Sequence, residues 1–254
     1  MCLINFHFQD HPIYHLIVAA NRDEFYERPT APAHFWEDKP NLLAGRDLSQ
    51  HGTWLGVTKD GRFAALTNFR DVNQKTNDVR SRGEIVTDFL DSDVTASEFL
   101  QALQQKREEY AGFNVIVGTP DELLYYSNIQ NEVATISPGT HGLSNHFLDT
   151  PWPKVVRGKA GVQEVATQNC AIQPDILFDV LANAEPFPDE QLPNTGVGEE
   201  LERVLSSLFI QSEGYGTRSS TVLLVDHENN VTFVERTYQD GHFIEDRTFT
   251  FQIG

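Results

Sequence analysis

Met1-Cys2-Leu3-Ile4-Asn5-Phe6-His7-Phe8 opens the chain, and Tyr14-His15-Leu16-Ile17-Val18-Ala19-Ala20 runs directly into Asn21-Arg22-Asp23-Glu24. The first stretch alternates short apolar runs with Asn5 and His7. The second is apolar throughout except for His15. With the turn-like Gln9-Asp10-His11-Pro12 between them, they read as the two strands of a hairpin, the second buried on both faces. Four polar or charged residues stand immediately after that buried strand.

Outward from this hairpin, Glu27 to Asn41 carries Pro29, Pro32 and Pro40 and reads as a loop. Thr53–Thr58 and Phe63–Asn68 flank Asp60-Gly61, a hairpin signal, because both turn positions tolerate positive φ. Arg70 to Arg82 is polar and reads as a long surface loop. Gly83–Leu90 reads as a short helix. Thr95–Tyr110 reads as a second, with Thr95 and Glu98 in a capping-box pattern and Phe99, Leu100 and Leu103 on one face. Strands are expected at Phe113–Val117, Leu123–Tyr126 and Val133–Ile136. Helices follow at Trp152–Gln168, Asp175–Ala184 and Glu199–Leu208. Ser219–Val225, Val231–Tyr238 and Phe243–Phe251 form a final meander. The order strands, helices, strands, helices, strands, with no linker-like shift and no repeat, predicts one α+β domain over 1–254, its sheet layered between helices.

The chain has 254 residues, with 19 Lys and Arg against 37 Asp and Glu, for a net charge of −18. A nucleic-acid partner needs a basic footprint and is excluded as an expectation. So is docking on an anionic membrane surface. No run approaches the roughly 18 apolar residues of a spanning helix, and no membrane insertion is expected. The N-terminus lacks the basic start of a signal peptide. Cys2 and Cys170 are the only cysteines, which gives neither a disulfide framework nor a four-thiolate metal site. A cytoplasmic location is the default. His7, His11 and His15 are spaced by four, which does not make one face of a strand hairpin, so no metal site is expected.

Cys2 carries the most chemistry. Removal of Met1 ahead of a small second residue would leave a thiol beside its own α-amine. That amine has a reference pKa of about 7.7–8.0 and can act as a built-in general base. Otherwise Cys2 is a small buried residue at a strand start.

The sequence resembles the NRDE family, which is related to transport and Golgi organisation protein 2. The resemblance rests on Met1-Cys2, Asn21-Arg22-Asp23-Glu24, Thr53-Trp54-Leu55-Gly56, Thr67-Asn68-Phe69-Arg70, Ser81-Arg82-Gly83, Gly142-Leu143-Ser144-Asn145 and Gly216-Thr217-Arg218. It implies an N-terminal-nucleophile hydrolase-like fold: an α+β, four-layer α-β-β-α sandwich of two antiparallel sheets between helix layers. Amidohydrolases of that fold, which cleave bile salts and penicillin V, have similar spacing. By position, the resemblance implies Cys2 as nucleophile, Arg22 and Asp23 beside it, Asn68 and Asn145 in the oxyanion region, and Arg218 as a later site arginine. The chemistry is consistent: a tetrahedral intermediate needs fixed donors, and an arginine favours thiolate. One departure is that those amidohydrolases separate the Arg and Asp by two residues. Here they are adjacent and Glu24 follows, so Asp23 and Glu24 compete for the carboxylate role.

Asn21, Glu24, Trp54 and His146 are taken as substrate-binding candidates; His141 and His146 flank Asn145. Two functional readings stay open. One is a cysteine amidohydrolase that cleaves a non-peptide C–N bond of a small anionic amphipathic substrate. The other is a non-catalytic carrier or chaperone, because the resemblance also implies haem trafficking or acyl-CoA and lipid binding. No cofactor is required by either; haem, lacking an attachment motif, would be a non-covalent ligand. In both readings the ligand carries a carboxylate or phosphate, since Arg22 and Arg218 would make the site locally positive.

Overall fold

A computed structural model describes residues 2–72 and 79–254. Met1, on which the removal argument turns, and positions 73–78 of the polar Arg70–Arg82 stretch lie outside the described residues.

The strands are β1 (Cys2–Phe8), β2 (Tyr14–Phe25), β3 (Thr30–Phe35), β4 (Leu42–Asp47), β5 (Leu55–Thr58), β6 (Phe63–Asn68), β7 (Phe113–Gly118), β8 (Leu123–Ser127), β9 (Glu132–Thr135), β10 (Gly139–Leu143), β11 (Gln211–Ser212), β12 (Tyr215–Asp226), β13 (Asn230–Gln239) and β14 (His242–Gln252). The helices are α1 (Gly83–Leu90), α2 (Ala96–Gln105), α3 (Pro153–Ala166), α4 (Pro174–Leu181) and α5 (Glu199–Val204). One antiparallel sheet has the order β10-β1-β2-β12-β13-β14, with β11 beside β12; the other runs β3 to β9 in chain order.

The strand period builds the layers. Even-numbered residues of β1 and β2, among them Ile4, Phe6, Phe8, Leu16, Val18 and Ala20, meet Leu43, Leu55, Val57, Phe63 and Ala65 of the other sheet in a shared inter-sheet core. Ile17 and Ala19 point the other way and pack under α3 and α4 with Val162, Val165 and Phe178. On the far side, Ile85, Val86 and Phe89 of α1 and Leu100 and Leu103 of α2 cover β4, β6, β7 and β8. The result is the expected α-β-β-α sandwich. No helix among the described residues is long and apolar enough to cross a membrane.

Several local readings hold. α1 spans the expected residues, Thr95 and Glu98 close a reciprocal capping box, and Gly61 (φ 83°) supplies the left-handed residue of the β5–β6 turn. Others are corrected. Glu27–Asn41 is not all loop: β3 lies within it, an edge strand where Pro32 sits at a register break and so removes no ladder bond. β2 does not stop before the polar tetrapeptide but continues through it to Phe25, because β12 pairs with it as far as Tyr215. The Thr95–Tyr110 helix ends at Gln105 and passes into a 3₁₀ turn at Arg107–Glu109, and the Glu199–Leu208 helix ends at Val204. β4 and β10 carry no strong local signal and form by pairing with β3, β5 and β1.

Candidate functional site

Extending β2 through Asn21-Arg22-Asp23-Glu24 sorts those residues by parity. Arg22 lies directly opposite Cys2 in the β1–β2 ladder, so both side chains leave the same face, the one shared with the inter-sheet core. Asn21 and Asp23 leave the opposite face, but Asp23, paired with Thr217 beside the β12 irregularity, still borders the opening at this end of the sheet.

A cleft of about 530 Å³ opens where this inter-sheet layer ends. That volume is in the small-molecule range. Cys2, Arg22, Asp23, Glu24, Trp54, Asn68 and Arg218 all line it, although they come from β1, β2, β6, β12 and the segment before β5. Cys2 is 8% exposed and sits at the boundary, touching both the apolar core and the cleft. Burial pushes its thiol up; the Asp23 charge adds to the rise, while Arg22 and a backbone hydrogen bond from Asp23 oppose it.

Arg22 reaches Thr30 Oγ1 and lies 3.8 Å from the Glu24 carboxylate, which also faces Arg28 at 3.9 Å. Asp23 is buried and accepts a 2.8 Å hydrogen bond from Thr217 Oγ1. Burial raises its carboxyl, and Lys154, Thr217 and Arg22 act against that rise. The two candidates for the carboxylate role therefore differ: Glu24 is part-exposed between arginines, whereas Asp23 is buried and held by Thr217. Lys154 is itself buried, donating to the Leu205 carbonyl at 3.1 Å, and burial with the nearby Arg70 lowers it to about 8.

Arg218 owes its position to an irregularity. Thr217 pairs with Asp23 and Ser219 with Arg22, so Arg218 is the extra residue of a bulge. Its Nη1 donates to the carbonyls of Phe25, Tyr26 and Arg28, each at 3.0 Å, and fastens the turn after β2 to the cleft wall.

Three sequence candidates do not line the cleft. Asn145 is fully buried and links the two sheets: Nδ2 donates to the Asn68 carbonyl at 2.9 Å, and its backbone carbonyl accepts from Arg70 at 2.7 Å. The Ser144 hydroxyl lies within bonding distance of both Asn145 Oδ1 and the Cys2 carbonyl, so Asn145 braces β1 from behind. Asn21 faces the helix layer, donating to the carbonyls of Leu181 and Leu208 and accepting from Ser220. His146 packs among Phe69, Phe147 and Trp152, with Nδ1 on Thr150 Oγ1. Odd parity takes Asn21 to the back of the sheet, and the turn after β10 carries His146 away from the opening.

Arg82 lines the cleft and was not among the sequence candidates. It precedes α1, which packs so closely on the chain before β5 that a Cβ on Gly52 would fall 2.5 Å from the Gly83 carbonyl carbon. Its Nη1 donates to the Gly112 carbonyl at 3.1 Å; burial lowers its pKa, and the charges of Cys2 and Glu24 oppose that. The Ser81-Arg82-Gly83 motif was the available signal. Glu235, another lining residue, had none.

Comparison with known proteins places the chain. The model of the Transport and Golgi organisation 2 family matches residues 1–240. The human Transport and Golgi organization protein 2 homolog is 39% identical over 277 residues, covering 100% of this chain and 99% of that protein. The Drosophila melanogaster Transport and Golgi organization protein 2 is 30% identical, covering 93% and 92%. Among solved structures, a variant of conjugated bile acid hydrolase from Clostridium perfringens superposes with a TM-score of 0.53 at 8% identity, covering 99% of this chain and 97% of that one. The Caenorhabditis elegans orthologue of N-acylethanolamine-hydrolyzing acid amidase gives 0.51 at 10% identity, covering 88% and 92%. These likenesses establish an N-terminal-nucleophile hydrolase-like fold. With family model and relatives spanning nearly its whole length, the chain belongs to the Transport and Golgi organisation 2 family.

Proposed function

We propose that the protein is an N-terminal-cysteine amidohydrolase acting on a non-peptide C–N bond of a small anionic amphipathic molecule. The observation that carries this reading is Cys2 lining the cleft, directly opposite Arg22 in the β1–β2 ladder. The fold neighbours, an amidase orthologue and a bile acid hydrolase, agree with it.

Once Met1 is removed, the α-amine of Cys2 takes the thiol proton and the sulfur attacks the amide carbon. The C–S bond forms as the carbonyl π pair moves onto oxygen, where the Asn68 amide offers a donor. Collapse breaks the C–N bond, and the proton held by the amine goes to the leaving nitrogen. Water then attacks the thioester, giving the carboxylic acid and restoring the thiol. Arg22, Arg82 and Arg218 draw the anionic part of the substrate into a chain that is otherwise strongly acidic.

Intact mass of native protein and amine release from a panel of N-acyl amino acids test this. Expected are a chain lacking Met1, turnover by wild type, and loss of about 10⁴-fold or more in Cys2→Ala. Ligand binding should persist in Cys2→Ala and weaken in Arg218→Ala. Met1 retained quantitatively overturns the nucleophile. No hydrolysis by wild type, with haem binding lost in Cys2→Ala, replaces the enzyme with a carrier.

A further inference from the structure

The cleft has a second polar centre on the wall away from Cys2. Glu235 of β13 lies three strands from β1 in the same sheet, about 14 Å at the usual strand spacing. It stands one inward-facing position deeper than Cys2, because Ile4, Ala20, Thr221 and Glu235 are aligned across the four strands. It is 3% exposed yet lines the cleft.

Two features of the opposite sheet form a site around its carboxylate. The β3–β4 register passes from Ala31 opposite Arg46 to His34 opposite Ala44, so Pro32 and Ala33 together face Gly45. This bulge takes the Ala33 N–H out of the ladder and turns it onto Glu235 Oε1 at 2.6 Å. A Cβ on Gly45 would stand 3.2 Å from the other oxygen, Oε2. Its absence leaves Oε2 room on the side where Gly45 and Pro32 line the cleft. The Thr221 hydroxyl in the adjacent position of β12 is also buried and has no hydrogen-bond partner among the described residues.

We propose that Glu235 Oε2 is the acceptor of a second ligand subsite that takes a neutral N–H or O–H donor, set about a strand-triplet's width from the group that reacts at Cys2. The inference rests on the reading above only in taking this cleft as the ligand site. A neutral donor fits better than an ammonium because Arg22 on β2 and Arg247 on β14 already offset the carboxylate, and Arg46 of β4 lines the same wall. Burial holds the carboxyl up at about 7, against hydrogen bonds from the Ala33 N–H and the Ser219 hydroxyl; the two carboxylate oxygens together have room for further donors. The occupant is thus an amphipathic anion with its charge among the arginines and a hydroxyl or amide at its far end.

Calorimetric titration at pH 8 with laurate, ω-hydroxylaurate and ω-methoxylaurate tests this. Wild type should bind ω-hydroxylaurate about tenfold tighter than laurate, as one hydrogen bond to a charged acceptor allows. Gly45→Ala, which covers Oε2 and keeps the carboxylate, should bring ω-hydroxylaurate to the level of laurate and leave laurate unchanged. In Glu235→Gln the side-chain oxygen stays on Ala33 and the NH₂ faces the cleft, so preference should move to the methoxy probe. Laurate binding with no hydroxyl preference in wild type overturns the subsite and leaves the proposed function standing. Equal loss for all probes in both variants reduces Glu235 to a tie between β3 and β13. If no probe binds wild type, the cleft is not an amphipathic-anion site and the subsite falls with it.

Discussion

The inter-sheet layer has a dry end and a wet end, and four aligned rows of one sheet show where one becomes the other. Phe8, Leu16, Val225 and Val231 form the innermost row across β1, β2, β12 and β13, followed by Phe6, Val18, Leu223 and Phe233. All eight are buried in one apolar cluster. The third row is Ile4, Ala20, Thr221 and Glu235; the fourth is Cys2, Arg22, Ser219 and Thr237. Between the second row and the fourth, large apolar side chains give way to small or polar ones on every strand, Ile4 being the one large apolar side chain left in the third row. The sheets stay paired in the same register, but the filling between them stops, and the cleft begins. A site can therefore be made by changing what a continuous ladder carries, without a separate lid or domain.

Four substitutions would break or sharpen that contrast. Phe233→Ala in the dry second row should cost about 3–5 kcal/mol in urea unfolding, because a packed aromatic leaves a cavity. A loss below about 1 kcal/mol would mean the inner rows are not the close-packed layer described.

The third row should respond to pH. Burial raises the Glu235 carboxyl to about 7 in the folded chain, against about 4.3 when unfolded. The native state therefore holds the extra proton. Its contribution to stability is full below about pH 4.3 and is lost as pH rises through about 7, by up to about 4 kcal/mol. Glu235→Gln keeps an acceptor for Ala33 and should remove that slope; identical pH profiles of the unfolding midpoint from pH 5 to 8 would contradict it.

In the fourth row, Arg22→Leu should raise the Cys2 thiol, since the guanidinium opposes the upward push of burial. Iodoacetamide labelling at fixed pH should slow about tenfold, with its pH midpoint moved up by about one unit. The smallest effect is expected at Thr221, whose buried hydroxyl has no partner among the described residues. Thr221→Val preserves shape and should stabilise by about 1 kcal/mol; a destabilised variant would place a bonded water or partner on that oxygen.

Much of the frame was legible from short-range pattern. The β5–β6 turn follows from Asp60-Gly61, α2 from the Thr95–Glu98 box, and the readings of α1 and the last three strands fall within about two to four residues of where they lie. Each depends on residues within a few positions of one another, which is the distance over which torsions, caps and periodicity act. The motifs also marked Cys2, Arg22, Asp23, Asn68 and Arg218 as site candidates, and one cleft receives them all. Tertiary structure decided the rest. Asn21 and Arg22 are chain neighbours on opposite faces because β12 keeps β2 extended past Ala20. Asn145 is spent on the Asn68 carbonyl, a bond across 77 positions. Arg82 reaches the cleft only because two glycines let α1 press onto the opposite chain. Glu235 depends on a bulge about two hundred residues earlier in the chain, a pairing that no local periodicity encodes. Sequence by itself determines where the chain can bend, coil and extend; which polar side chains share one desolvated space is set by ladder register and sheet packing, whose partners are distant in the chain.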